Sequence, residues 1–335
     1  MQSKSKNAAA ASGSALNNAA ILLTLTLVTM LYAMTVTIAN VSLPQIKGAL
    51  SATTDEIALI ITFNIIATAV ATPMTGWLST RFGRRNTLVW AVIGFTVSSF
   101  LCGTATSLEQ LVFYRFLQGA CGAPLPPLCQ AIVVDAYPKE KIGQANAIFG
   151  MGVVLGPILA PTLGGYLSET YSWRWVFYMM VPCGLASLIG VLIFIKSHVA
   201  DKRADLDWTG FISLAVAIAA FQFMLDRGER LDWLDNWQIV ACAIAAVTGL
   251  YIFITHSLTS DRPFLNPRLL LKRNYALGLL IAFIFGLLNF TPITLIPALL
   301  QTLRGYPDSI VGLILGIRGT GTVSYTHLTL PTRLM

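Results

Sequence analysis

Only 11% of the 335 residues are charged, so the side chains with chemistry to offer are few. The stretch GWLSTRFGRR, residues 76–85, gathers Arg81, Arg84 and Arg85 around Gly83. Arg115 stands alone in an apolar run, LVFYRFLQGACGA, with Gln118 one helical turn further on. A guanidinium in hydrocarbon costs at least about 2.5 kcal/mol. Arg115 therefore needs a polar cavity, a partner, or a route by which its head snorkels to the interface. This is chemistry of charge placement rather than bond making. Cys102, Cys121, Cys129, Cys183 and Cys242 have no C-x-x-C spacing and read as small core residues. His198 and His256 fall at the ends of apolar runs, and the glycines of 76–83 lack the order of a phosphate-cradling loop. The sequence thus predicts no catalytic set, no metal site and no cofactor.

The elements that must position these residues are spans of a membrane. Hydrophobic residues make up 55% of the chain and the mean hydropathy is +0.70, outside the range of a soluble globular domain. Runs of about 20 apolar residues, the length that crosses hydrocarbon, predict spans at 20–43, 57–79, 87–106, 109–134, 144–168, 175–196, 208–226, 237–257 and 275–301, with a tenth starting near Ile310. The fold class is all-α integral membrane. The first run is too long for a secretory signal and reads as a retained helix. With the N-terminus in the cytoplasm, inside segments hold fourteen of the 22 basic residues, among them Arg81, Arg84, Arg85, Lys139, Lys141 and Lys196, and outside segments hold five. That bias is the positive-inside signature. It makes residues 76–85 a cytoplasmic turn between spans two and three. The net charge of +7 reports topology, because no compact basic domain exists for nucleic acid.

Spacing within spans adds detail. Gly152, Gly156, Ala160 and Gly164 recur every four residues and line one helix face, while Pro157 and Pro161 each remove a helix hydrogen bond and bend the segment. Such a face suits either a hinge between helices or ordinary small-residue packing. Asn64, Thr68 and Thr72 share one stripe of span two. With Tyr114, Phe177 and Tyr178 they line a cavity for an amphipathic or lipophilic substrate, or else they make hydrogen bonds between helices. Trp173 and Trp175, near a span end, read as interfacial anchors.

Several of these segments resemble the major facilitator superfamily. Gly76, Leu78, Arg81, Gly83, Arg84 and Arg85 are similar to its G-x-L-a-D-R-x-G-R-R loop, and Arg115, Gln118 and Gly119 to its l-x-x-x-R-x-x-Q-G pattern. TIANVSLP, GMGVVLGPILAPTLGGYL (which adds Gly165) and SWRWVFYMMVPCG resemble segments of the fourteen-span drug:proton antiporter branch, the EmrB/QacA type. The resemblance implies a major facilitator fold with a first six-helix bundle over 20–200, two linker helices over 201–260 and the start of a second bundle over 261–322. Residues 1–19 read as a disordered cytoplasmic tail. The threonine-rich end, 323–335, reads as a non-native sequencing-adapter tail, which would truncate the second bundle.

The resemblance further implies efflux of small amphipathic substrates across the inner membrane by alternating access. The proton gradient would drive it, with a periplasmic adaptor and an outer-membrane channel as partners. Arg81, Arg84 and Arg85 would take part in gating, and Arg115, Gln118, Gly119, Thr35 and Asn40 in the pathway. The chain departs from the pattern where the branch has aspartate, at Thr35 and Thr80, and where it has asparagine, at Met180. Spans one to six then hold no central acidic residue. The alternative expectation is an exporter or uniporter of a metabolite or siderophore without proton coupling in the first bundle. A membrane-embedded enzyme or sensor would need a catalytic cluster that the sequence lacks.

Overall fold

An apolar chain in lipid must satisfy its backbone hydrogen bonds within itself, and helices do so segment by segment. The computed structural model describes residues 2–196, 205–260, 262–307, 309–315 and 317, and every regular element among them is helical. The first bundle comprises α1 (Gln2–Ala49), α2 (Thr54–Ala71), α3 (Thr75–Phe82), α4 (Arg84–Thr104), α5 (Leu108–Gly122), α6 (Leu125–Ala136), α7 (Ile142–Thr170), α8 (Arg174–Tyr178) and α9 (Met180–Phe194). A hairpin of α10 (Trp208–Arg227) and α11 (Trp237–Thr259) follows, and then α12 (Arg273–Arg304). Eight stretches of the described residues are long and apolar enough to cross a membrane, six within 17–194 and two as α10 and α11. The predicted ninth span is α12, and residues 309–315 begin the tenth. The proposed adapter tail lies outside the described residues.

Three local expectations change. The tail predicted as disordered is helical from Gln2, continuous with α1, in keeping with the strong helix propensity of its alanines. The turn predicted over 76–85 is mostly the short helix α3. Pro73 stops α2, the chain restarts at Thr75, and only Gly83, at φ +83°, forms the corner before α4. Span four likewise divides at Ala123 and Pro124, whereas α7 carries Pro157 and Pro161 inside one continuous helix.

Packing follows the small residues. The α7 face of Gly152, Gly156, Ala160, Pro161, Gly164 and Gly165 is buried, and it packs on α1. A Cβ on Gly156 would stand 2.7 Å from the Met30 carbonyl oxygen. The α2–α5 seam is as close: a Cβ on Gly119 would collide with the Asn64 carbonyl oxygen. The main apolar core lies among α1, α4, α6, α7 and α9, around Leu25, Ile38, Phe95, Leu125 and Val191.

Successive spans alternate in direction, so Asn18, Arg84, Asp135 and Phe194 share one end of the bundle, and Val41, Asp55, Thr104 and Glu169 lie toward the other. We call these the basic end and the far end. At the far end α10 docks on α2, with the Thr62 hydroxyl donating to Asp226 at 2.6 Å and Arg230 pairing with Asp55 at 2.9 Å. At the start of α10, Asp207 accepts from the amides of Gly210 (2.9 Å) and Phe264 (3.0 Å), and His256 Nε2 lies 2.8 Å away. Burial pushes the Asp207 carboxyl up, but the two amides and the histidine together hold it below the usual carboxylate range.

Two outcomes follow from this packing. Gly156→Ala should destabilise the chain by about 1–3 kcal/mol through overpacking on α1. Gly150→Ala, where a Cβ meets nothing within 4 Å, should be neutral or gain up to about 1 kcal/mol of helix propensity; thermal unfolding in detergent compares them. Because the folded-state value of Asp207 is depressed, its stabilisation is complete above the ordinary carboxylate value of about 3.9 and fades as pH falls through the lowered one. Asp207→Asn should therefore lower stability at neutral pH and flatten the acid limb of a melting-temperature titration.

Candidate transport and gating site

Arg115 is fully interior, 2% exposed, so it does not snorkel. Its Nη1 donates to Gln118 Oε1 at 2.7 Å, and Gln118 Nε2 donates to Ser99 Oγ on α4 at 2.7 Å. The guanidinium carbon lies 5.2 Å from the centre of the Phe177 ring on α8, within cation–π range. Its Nε is buried with no partner, and no carboxylate pairs with it among the described residues. The site is thus one positive charge held by neutral dipoles and a ring face. It can receive an anion without first breaking an ion pair.

Its backbone is held from α2. Asn64 Nδ2 donates to the Arg115 carbonyl at 2.8 Å and the Thr68 hydroxyl to the Gly119 carbonyl at 3.2 Å. Of the six residues read as cavity lining, these two make the hydrogen bonds between helices that the sequence offered as the alternative. Thr72 bonds within its own helix, to the Thr68 carbonyl at 2.7 Å. Phe177 is buried beneath Arg115, Tyr114 packs in the far-end cluster around Ile57 and Trp173, and the Tyr178 ring lies over Gly103 and edge-on to Trp175. Trp173 is buried against Phe177, with Arg174 over its face at 4.5 Å, so it packs the bundle rather than anchoring at the interface. Trp175 is half exposed.

Thr35 and Met180 meet. The Thr35 hydroxyl donates to the Leu31 carbonyl at 3.2 Å and lies 3.9 Å from the Met180 sulfur. Asn40 keeps a buried amide oxygen without a partner. Acidic residues of α1–α9 occur only near helix ends: Asp55, Glu56, Glu109, Asp135, Glu140 and Glu169.

The arginines of 81–85 act inside their own bundle. Arg84 pairs with Asp135 on α6, and Arg85 Nη2 donates to the Leu192 carbonyl of α9 at 2.9 Å. Thr80 bonds back to the Gly76 carbonyl at 3.0 Å, and a Cβ on Gly76 would meet nothing. Arg81 makes no ion pair among the described residues. Among the described residues, side-chain hydrogen bonds join the first bundle to α12 and 309–315 at the far end. Gln301 Nε2 donates to the Val41 carbonyl at 3.1 Å, Thr162 to the Gly312 carbonyl at 3.1 Å, and the Ser309 amide to Glu169 at 3.3 Å. A Cβ on Gly312 would collide with the Pro161 carbonyl. Ser99, Gly312 and Glu169 carried no signal in the sequence beyond a polar or small residue in or beside an apolar run.

The sequence matches the Major Facilitator Superfamily over residues 25–331. It is 36% identical over 290 residues to the multidrug export protein EmrB of Escherichia coli strain K12, covering 86% of this chain and 57% of that protein. It is 37% identical over 278 residues to the fatty acid resistance protein FarB of Neisseria gonorrhoeae, covering 83% and 55%. The chain therefore spans little more than half the length of these relatives. The partially occluded, inward-open xylose transporter XylE of E. coli superposes with a TM-score of 0.59 at 15% identity, covering 94% of this chain and 72% of that one. A peptide transporter superposes with a TM-score of 0.62 at 14% identity, covering 94% and 70%. Both likenesses concern the fold.

Removing a buried charge that has no counter-ion relieves its desolvation cost, which offsets the hydrogen bond lost at Gln118. Arg115→Met should accordingly keep thermal stability within about 1 kcal/mol of the parent chain. A loss above about 3 kcal/mol would show that Arg115 holds the bundle together.

Proposed function

Because this chain belongs to the major facilitator superfamily, we propose that it is part of a secondary active exporter of amphipathic or lipophilic compounds, working by alternating access. It is a transporter rather than an enzyme. The relatives' export of multiple drugs supports the substrate class. The observation that supports alternating access is that, among the described residues, the first bundle meets α12 and 309–315 through a few side-chain hydrogen bonds at the far end.

In this reading the first bundle, the α10–α11 hairpin and the start of the second bundle move as the sequence divides them. The small face of α7 serves as the hinge surface, and Arg81 reaches across when the basic end closes. The clustering of basic residues supports a cytoplasmic N-terminus and basic end in the inner membrane. The proton gradient is the driving force with no cofactor, and the whole protein works with a periplasmic adaptor and an outer-membrane channel; these rest on family resemblance alone.

A second reading is favoured by Thr35. With its hydroxyl against Met180 and the acidic residues of α1–α9 only near helix ends, the first bundle has no central carboxylate to carry a proton, which suits an exporter or uniporter of a metabolite or siderophore. The whole protein in efflux-deficient cells separates the two. Lipophilic dye should be extruded, a protonophore should abolish extrusion, and Arg115→Met should reduce it at least about tenfold, the loss of one charged contact in the pathway. Extrusion that persists with the protonophore would favour the second reading.

A further inference from the structure

At the basic end a cavity of about 210 Å³ opens between the Asn17–Ile21 stretch of α1, the corner before α4, and the ends of α6 and α9. Its wall is apolar, with Ile21, Ile132 and Phe194. Its rim is charged, with Arg84, Arg85, Lys196 and Asp135. Arg84 and Asp135 neutralise each other. Arg85 uses one terminal nitrogen on the Leu192 carbonyl, and its Nε is buried with no partner. Lys196 is exposed and unpaired among the described residues. Two positive charges therefore stand uncompensated over an apolar slot.

We propose that this cavity binds one anionic phospholipid, with the phosphodiester between Arg85 and Lys196 and an acyl chain along the apolar wall. The volume falls below the roughly 300–1,000 Å³ of a site for a drug-sized molecule, but a headgroup needs only a seat for its phosphate while the rest of the lipid lies outside. The depth is right, because three helix ends, Arg84, Ala136 and Phe194, reach the cavity together and helix ends lie at the level of the headgroups. Arginine suits the role because its planar fork of donors matches phosphate oxygens. The amide side chains of Asn17 and Asn18, also at the rim, offer hydrogen bonds to a headgroup hydroxyl. A soluble anion would leave the apolar wall uncovered, which is why the lipid is the occupant proposed.

The test uses the purified chain in detergent and native mass spectrometry, titrating phosphatidylglycerol, phosphatidylcholine and inorganic phosphate separately. One phosphatidylglycerol should bind saturably and in preference to phosphatidylcholine. Arg85→Gln and Lys196→Gln should each weaken it about fivefold, the effect of one basic residue near an anionic headgroup. Lys139→Gln, an exposed charge at the same end but outside the cavity, should leave it unchanged. Lys196→Gln alters an exposed side chain and decides the matter if Arg85→Gln does not fold. Equal binding of the two lipids, equal weakening by Lys139→Gln, or displacement of the lipid by inorganic phosphate at equal affinity would each overturn the proposal.

Discussion

The constraint on which the arrangement depends is the close approach of α2 and α5 at Gly119. Between helices in lipid there is no hydrophobic drive, since acyl chains are as apolar as leucine, and association rests on packing and interhelical hydrogen bonds. The missing side chain at Gly119 lets the Asn64 backbone lie against α5. Only at that separation does the Asn64 amide reach the Arg115 carbonyl and the Thr68 hydroxyl the Gly119 carbonyl. Those bonds fix the register of α5, and the register turns Arg115 inward to Gln118, Ser99 and Phe177. A buried charge is thus placed by a backbone contact elsewhere on the same two helices.

The same principle separates what is rigid from what can move. Within the first bundle, helices meet along their lengths through small residues. Between the bundle and the following helices, the side-chain hydrogen bonds among the described residues fall at one end, and each contributes only about 0.5–1.5 kcal/mol net. An interface of that kind can open and reform without disturbing either side. The hairpin complicates the division because it is tied at both ends. Asp226 and the Asp55–Arg230 pair hold α10 to the first bundle at the far end, whereas Asp207 binds the segment leading into α12 at the basic end. The hairpin therefore follows the first bundle directly and restrains the second through one short connection.

Hydropathy made the spans legible because lipid imposes the same demand on every crossing segment. It could not reveal the breaks at Pro73, Ala123 and Met179, since a helix interrupted in mid-membrane keeps its apolar composition. The small face of α7 was legible from its four-residue period, and Gln118 as a partner of Arg115 from its place one turn along the same helix. Ser99 and Phe177 were not, because which residues of α4 and α8 stand level with Arg115 depends on how three helices slide against one another. Trp173 was misread for a related reason. Proximity to a span end suggests the interface, but α8 turns that ring inward under Phe177.

The charge pattern of the interior bears on how transport would be driven. Thr35 and Met180, the positions at which the resemblance leads one to expect aspartate and asparagine, lie against each other rather than at separate places. A carboxylate introduced at position 35 alone would face the Met180 thioether and an apolar core, and its charged form would be disfavoured by desolvation. The two side chains therefore form one neutral patch. Arg115 is left as the interior charge of α1–α9. Under the proposed proton exchange, the titrating group has to approach that arginine from outside these helices or arrive with the substrate. Because Arg115 is buried against Gln118 and Phe177, an anionic substrate could meet it only where the surrounding helices part, and in that state the same charge would serve recognition and coupling at once.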